Sequence, residues 1–410
     1  MSSVSDKARF FLEQSVPELK EYEKKKIFTK DEISSIAKRR SDFEHKINAR
    51  GSQPADFARY AEYEMNLDTL RKKRIKRLSI KSPSHSGQKR IFFVLDRATR
   101  KFHGDIGLWM QYIEYARRQK AHKKLSMIFT NVLRLHPTKG EMWIYAAQYA
   151  LEEHADMTQA RSYMQRGLRF SKASRTLWLQ YAKLEMIYIA KIAARQQILG
   201  LDKKRATPVE SGGASLDDVD ADMITLPTIT GEDINPSLPK DGEVDHAALE
   251  NLNSTPALSG AIPMVIFDSA MKQFDKDPVL AQQFYEMIVQ FEDTPCAPKI
   301  LSHIVDQLLA DCPNTCQAQI CHARVAVAGI RITSADFPAA FGESLSRLRE
   351  YMGSPPQNTA LALETIKWLR PLVGTEGLDP ALHTVMVATI RSNERVAHQD
   401  VGNGEIVRSS

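Results

Sequence analysis

Apolar residues recur along residues 90–190 at the spacing of amphipathic helices. Ile91, Val94-Leu95 and Ala98 share one helical stripe, because their offsets are those of residues on a common face. The same offsets return in the next two segments of the chain. The pattern predicts three helices, which we call B helices, each followed by a second helix, which we call an A helix. The B helices cover about 90–101, 122–135 and 158–170, and the A helices cover about 107–119, 141–153 and 175–190.

A tryptophan opens each predicted A helix at nearly fixed spacing. Trp109, Trp143 and Trp178 lie 34 and 35 residues apart. A period near 34 is the length of one helix-turn-helix unit. One such unit cannot bury its own apolar face and must stack on neighbours. The sequence therefore predicts an all-α solenoid of helical hairpins, a class of protein that mostly binds other molecules.

An earlier A helix begins at Phe57, 52 residues before Trp109 and thus about eighteen residues further than the period allows. We assign the excess to a basic insertion at 71–88, within a repeat solenoid spanning 57–200. Since recurring aromatic residues at equivalent places form inter-repeat contacts, we expect them in the core rather than as platforms for bases. The predicted repeat core comprises Phe57, Tyr60, Trp109, Tyr112, Trp143, Trp178 and Tyr181.

The predicted ends of the solenoid differ in character. Residues 1–56 are expected to form a helical cap with helices over 5–26 and 30–49, the second opened by a capping box of Thr29 and Glu32. Residues 201–260 are expected to be an acidic disordered linker, because segment 206–258 carries eleven acidic residues and one lysine.

Helical periodicity returns after the acidic linker. We predict degenerate helical repeats over 261–398, with prolines at the junctions between helices, and a polar tail over 399–410. The expected helices cover 262–276, 278–291, 297–311, 315–330, 335–352, 358–370 and 380–397.

Charge is distributed unevenly between the two halves. Residues 1–205 carry 43 Lys and Arg against 22 Asp and Glu, whereas the remainder carries 13 against 28. Such asymmetry points to nucleic acid or to oppositely charged partners. Four cysteines in 410 residues argue against a disulfide framework. No apolar run reaches the ~20 residues that span a bilayer, so we expect no membrane association.

The densest basic run lies within the predicted insertion. Phosphate contact by such residues gives affinity that depends on salt and not on base sequence. The same run could serve as a nuclear import signal, or as a solvated helix end facing an acidic partner. The candidate contacts to RNA or to an acidic partner are Arg71, Lys72, Lys73, Arg74, Lys76 and Arg77.

No motif indicates catalysis, a cofactor or a small-molecule substrate. The chain has no phosphate-binding loop, nucleophile elbow or zinc-protease motif. Cys312, Cys316, Cys321 and His322 lie close together, but their spacing is not that of paired zinc knuckles. We therefore expect neither a metal nor a cofactor, and we predict a binding protein that is not an enzyme.

Several segments resemble the helices of HAT (half-a-TPR) repeats. The motifs beginning at Phe57 and Trp178, aromatic-x-x-Tyr-Ala-x-x-Glu, resemble the first helix of that repeat, and residues 160–168 resemble the second. The units at Trp109 and Trp143 depart from the pattern, since alanine replaces the acidic residue. HAT repeats are known mainly from RNA-processing assemblies.

The N-terminal segment is similar to a narrower family, the HAT-repeat U-three snoRNA-associated nucleolar subunit of the UtpB subcomplex of the small-subunit processome. Residues 28–33, 38–44 and 56–70 carry the resemblance. It implies a scaffold in the nucleolus, needed for pre-rRNA processing, with WD-repeat propeller proteins, pre-rRNA and the U-three snoRNP as partners. The alternatives are a HAT scaffold of splicing or mRNA 3′-end processing, a TPR-type co-chaperone and, without a site to support it, an RNA-modifying enzyme.

Overall fold

A computed structural model describes residues 4–80, 85–198, 259–291, 293–353, 358–375 and 378–406. Across these residues the chain forms helices and no strands, and the helices pack in consecutive pairs. The predicted all-α solenoid class is thus confirmed. The predicted acidic linker lies almost wholly outside the described residues, as does the end of the predicted polar tail.

The chain divides into two compact units, Met1–Ala146 and Ala147–Ser410. Helix α8, Gly140–Glu153, crosses that boundary. The helices before it are α1 Val4–Glu13, α2 Val16–Lys24, α3 Lys30–Asn48, α4 Pro54–Arg77, α5 Ser86–Lys101, α6 Ile106–Arg118 and α7 His122–Leu135. Those after it are α9 Met157–Phe170, α10 Arg175–Ile198, α11 Ala261–Gln273, α12 Pro278–Val289, α13 Ala297–Asp311, α14 Cys316–Val325, α15 Phe337–Met352, α16 Asn358–Val373 and α17 Pro380–Ile406.

The first predicted helix, over 5–26, is in fact two helices. Pro17 stands in the first turn of α2, where its missing N–H cannot continue the hydrogen bonds of a preceding helix. The hydroxyl of Ser15 donates to the carbonyl of Leu12 at 2.7 Å and closes the turn between α1 and α2. The predicted capping box is confirmed, since Thr29 and Glu32 exchange both of its hydrogen bonds at the start of α3.

Helix α4 is longer than expected and continues through Arg77. The first seven residues of the predicted insertion are therefore helical. Arg and Lys are good helix formers, and cations in a last turn interact favourably with the negative end of the helix dipole. The last helix, α17, likewise continues past the predicted start of the polar tail.

Five of the turns that lead from a B helix into the next A helix have one length, whereas the turn from α3 to α4, residues 49–53, has five residues. Four residues separate α5 from α6, α7 from α8, α9 from α10, α11 from α12, and α13 from α14. The connections from an A helix to the next B helix vary instead, from three residues after α6 and α8 to residues 199–260 after α10. The repeated unit of this fold is therefore a B–A hairpin with a fixed turn.

Candidate functional site at the basic end of helix α4

The candidate basic run forms the last two turns of α4, and we call residues 71–77 the basic end of α4. Its side chains do not share one environment. Arg71 is buried and Arg74 is partly buried. The remaining cations, which are exposed, are Lys72, Lys73, Lys76 and Arg77.

Arg71 is committed to the interior. Its side chain is only 3% exposed and donates two hydrogen bonds to Asp68 Oδ1, at 2.7 and 3.0 Å. The guanidinium carbon also lies 6.0 Å from the ring centre of Tyr22. A buried and paired arginine cannot reach a phosphate without unfolding its surroundings. The burial and pairing of Arg71 therefore favour a structural role over the RNA contact predicted there.

Arg74 joins the end of α4 to the start of α3. Its guanidinium donates to both carboxylate oxygens of Glu32, each at 2.7 Å, and to the carbonyl of Ile27 at 3.2 Å. It also lies 4.7 Å from the ring centre of Phe28. These hydrogen bonds, with that from Thr29, lower the pKa of Glu32 to about 2. Arg74 is therefore occupied in holding the cap and is not offered to a partner.

The exposed surface available to a ligand includes fewer cations than the basic end of α4 contains. Lys72 contacts the Asp68 carboxylate at 2.8 Å but is 47% exposed. Within the described part of the chain, no ion pair engages Lys73, Lys76 or Arg77. Residues four apart on a helix are neighbours, so Lys72 lies beside Lys76 and Lys73 beside Arg77. Four exposed cations on two turns form a compact positive patch, typical of a contact with phosphates or carboxylates.

Gly87 permits the close approach of α5 to α4 beside this patch. A Cβ atom at Gly87 would lie 2.3 Å from Oδ1 of Asp68. Gly87→Ala should therefore lower the free energy of unfolding by roughly 1–3 kcal/mol, although alanine normally favours a helix by ~1 kcal/mol. Urea unfolding measures the change. Gly104→Ala is the control, because a Cβ there meets nothing within 4 Å; an equal loss in both variants would contradict the steric argument.

Stability should also depend on pH through Glu32. Its pKa is depressed in the folded protein, so its contribution is present above about 4.5 and is lost as the pH falls towards 2. Urea midpoints between pH 7 and pH 2.5 should fall more steeply for the native chain than for Glu32→Gln. The exposed neighbour Asp31 provides the control, and Asp31→Asn should follow the native curve. Parallel curves for native and Glu32→Gln proteins would contradict the assignment.

Each of the three repeat tryptophans makes the same type of hydrogen bond. Each indole N–H donates to the carbonyl six residues earlier, at 2.9 Å for Trp109 and Trp143 and 3.0 Å for Trp178. Each acceptor is the second residue of a four-residue B-to-A turn. Trp109 and Trp143 are 4% and 5% exposed, so neither presents a ring face for stacking on a base.

The predicted core residues other than the tryptophans lie in the interior. Phe57, Tyr60, Tyr112 and Tyr181 are all buried. Tyr60 stacks on Phe43 with ring centres 5.0 Å apart. Trp178 is only half-buried, which differs from the prediction that all three tryptophans are equivalent.

Two ion pairs that link neighbouring helices each contain a buried glutamate, and the sequence reasoning did not identify either pair. Arg40 donates to both oxygens of Glu64, at 2.8 and 2.9 Å. Arg161 does the same to Glu185, with both distances 2.7 Å. In each pair the arginine precedes the glutamate by 24 residues and lies on the preceding helix.

The two intervening repeats lack both partners of that pair. Alanine occupies the glutamate position, at Ala116 and Ala150, and the residues 24 positions earlier are Phe92 and Ser126. The charge and its counter-charge are thus absent together. A search for Arg and Glu at this fixed separation would have revealed the pairs from the sequence.

Glu18 extends the first ion pair into a network. It accepts from Arg40 at 3.2 Å, from Arg90 at 3.0 Å and from the hydroxyl of Tyr22. Burial raises the pKa of the Glu18 carboxyl, but Arg40 and Arg90 more than offset this and hold the pKa below its usual value. Helices α2, α3, α4 and α5 are joined by this set of charges, which we call the Glu18–Arg40–Glu64 network.

The members of the cysteine cluster differ in burial, since Cys312 and Cys316 are only partly buried. Cys321 is fully buried, and burial raises the pKa of its thiol to about 12, which disfavours a metal-binding thiolate. Within the described ranges no group of His, Cys, Asp and Glu side chains is arranged to hold a metal ion.

Across the residues that the structure describes, no helix combines the length and the apolar character needed to cross a bilayer.

Residues 12–94 match the family model described as U3 small nucleolar RNA-associated protein 6. The chain is also similar to proteins of that name. It is 37% identical to the Schizosaccharomyces pombe protein over 237 residues, 56% of this chain and 49% of the relative. The Mus musculus and Homo sapiens homologues are 33% and 31% identical over 190 residues, in each case 45% of this chain and 32% of the relative. The matched regions thus cover half or less of each of these three relatives.

The matched segment coincides with the charge network described above. It contains all three residues of the Glu18–Arg40–Glu64 network, together with Arg90 and the basic end of α4. Among the described residues, most of the buried charged side chains lie in this matched segment.

Proposed function

We propose that this chain is a U3 small nucleolar RNA-associated protein that serves as a non-enzymatic helical scaffold in the small-subunit processome. The observation that carries the proposal is the family match over residues 12–94. The named relatives support it over a longer part of the chain, up to 237 residues. A solenoid presents long surfaces that can hold several partners at once.

The finer assignment follows the resemblance found in the sequence. We propose that the chain belongs to the UtpB module, holds WD-repeat propeller proteins and acts in the nucleolus on the pre-rRNA with the U3 snoRNP. The exposed cations at the basic end of α4 are the surface on which we expect RNA or an acidic protein segment. Arg71 and Arg74 are excluded from that surface, because their guanidinium groups are paired internally.

Affinity purification of the tagged chain from nuclear extract, with and without RNase, tests the scaffold. We expect U3 RNA and propeller proteins in the untreated sample, and the propeller proteins should remain after RNase. Splicing RNAs or polyadenylation factors in place of U3 would overturn the family assignment while leaving the fold intact. Loss of every protein after RNase would show that RNA contacts, rather than protein contacts, hold the chain in its particle.

Charge reversal tests the basic end of α4. Replacing Lys72, Lys73, Lys76 and Arg77 with Glu should reduce association with RNA by at least about tenfold at low salt, with a smaller difference at high salt. Filter binding to a pre-rRNA fragment measures the effect.

A matched control uses exposed cations of the same unit outside the basic end of α4. Lys38, Arg39, Lys123 and Lys139 are exposed, and their replacement with Glu changes the net charge equally. Equal losses in both variants would show that only net charge matters. Unchanged binding in the variant of the basic end would leave that run without an RNA role.

A further inference from the structure

A cleft of about 530 Å³ opens between the B helices α5 and α7, entirely within the first unit. Its floor includes Trp109, Tyr112 and Ile128, each less than 5% exposed. One rim comes from α5 and the residues just after it, and the other from α7. This cleft lies apart from the basic end of α4, whose residues do not line it.

The α7 rim presents a regular stripe of side chains. Lys124, Met127, Asn131 and Arg134 follow one another at offsets of three and four, and therefore share one face of the helix. Met127 is 61% exposed, although its side chain is apolar. Exposed apolar side chains at the edge of a cleft are typical of surfaces that bind another chain.

The cleft carries net positive charge. Arg100 on the α5 rim is paired with Asp96 at 2.8 Å. Lys124 and Arg134 have no ion pair among the residues that the structure describes, and both line the cleft. A ligand with carboxylates can therefore pair with Lys124 and Arg134 without first breaking an existing ion pair.

RNA fits this cleft poorly. Binding of single strands normally uses exposed aromatic faces on which bases stack. Trp109 and Tyr112 are 4% and 2% exposed, so their rings form a floor and not a platform. An apolar side chain, by contrast, can rest on this floor beside Met127.

We propose that the cleft between α5 and α7 binds a short extended segment of a partner protein that carries two acidic residues flanking a bulky apolar residue. Lys124 and Arg134 lie ten residues apart on α7, which corresponds to about 15 Å along the helix axis. An extended chain covers that distance in four or five residues at ~3.3 Å each. The two acidic residues of the segment should therefore stand four or five positions apart.

This inference rests on the proposed function as a holder of partner proteins and names the chemistry of one partner. Its test uses the purified full chain and the synthetic peptide Gly-Glu-Ser-Leu-Ser-Glu-Gly. Spectra of the protein with ¹³C-methyl methionine report on the cleft, and Met127→Leu identifies the signal of that residue among the 14 methionines. The peptide should shift the Met127 signal in a saturable manner. Peptides with Gln for both Glu, or with Ser for Leu, should bind at least about tenfold more weakly.

Variants of the protein make the test specific. Replacing Lys124 and Arg134 with Glu should weaken peptide binding at least about tenfold. The control replaces Lys123 and Lys120 with Glu, the same charge change at exposed positions that do not line the cleft, and it should bind within about twofold of the native chain. All of these positions lie at the surface, so equal melting temperatures would verify that the variants are folded.

Three outcomes would overturn the proposal. They are no shift at Met127, equal weakening in both charge variants, and displacement of the peptide by a ten-nucleotide oligouridine that shifts Met127 at lower concentration. Because the peptide assay contains no other component of the particle, its failure leaves U3 association as a separate result. Conversely, if the peptide binds but U3 is absent from the purified particle, the cleft is supported as a peptide-binding site and the proposed function is contradicted.

Discussion

Replacing Arg40 with Met should lower the free energy of unfolding by about 3–5 kcal/mol, the usual cost of removing one partner from a buried ion pair. Arg40 is 1% exposed and is hydrogen-bonded to Glu64 and Glu18. Its loss leaves Glu64 buried without its cation, whereas Glu18 keeps Arg90. Urea unfolding followed by circular dichroism measures the change.

Two further variants separate the ion pair from ordinary packing. Glu64→Leu should cost less than Arg40→Met, because Arg40 would keep Glu18 as a partner. The double variant should recover most of the loss, since apolar residues of similar size often replace a buried pair without penalty. Arg118→Met, at a pair whose side chains are 71% and 55% exposed, should cost below about 1 kcal/mol. A double variant that is as unstable as the sum of the single variants would contradict this explanation.

Replacing Trp143 with Ala should cost about 3–5 kcal/mol, because a large buried side chain would leave a cavity. Trp178→Ala removes the same atoms and the same type of hydrogen bond from a half-buried site, so its cost should be clearly smaller. Thermal unfolding of both variants measures the difference.

The hydrogen bond of Trp143 can be examined separately. Trp143→Phe keeps an aromatic ring but removes the donor to the carbonyl of Pro137, and should cost about 1 kcal/mol beyond the change in volume. If Trp143→Ala were as stable as the native chain but lost RNA binding, the residue would belong to a ligand surface and its structural role would be refuted.

The sequence correctly predicted the features of the fold that depend on local interactions. The B helix α7 covers the range expected from its apolar stripe, and the capping box of Thr29 and Glu32 forms as its spacing predicts. Fixed periodicity also placed Trp109 and Trp143 at equivalent positions. The helix and the capping box depend on residues within a few positions of one another, and the repeat recurs at a fixed spacing, so a single sequence contains the information.

The state of the basic residues depends on contacts between helices. Arg71 is buried because Asp68 accepts its hydrogen bonds and Gly87 allows α5 to approach that carboxylate. Arg74 is occupied because the N-terminus of α3 brings Glu32 within reach. Neither fact follows from a run of positive charge, which looks the same whether its members face solvent or the interior. The 24-residue ion pairs were missed for a similar reason, since they join two helices.

The tryptophan hydrogen bond has a consequence for how the length of this chain can change. Each repeat uses a carbonyl of its own B-to-A turn to orient its indole, so an added residue in that turn would shift the acceptor out of position. The A-to-B connections carry no such constraint. The three longest interruptions, residues 78–85, 326–336 and 199–260, fall there. The fold thus separates joints that must keep their length from joints at which new sequence can be inserted, and related proteins are expected to differ in length mainly at the latter.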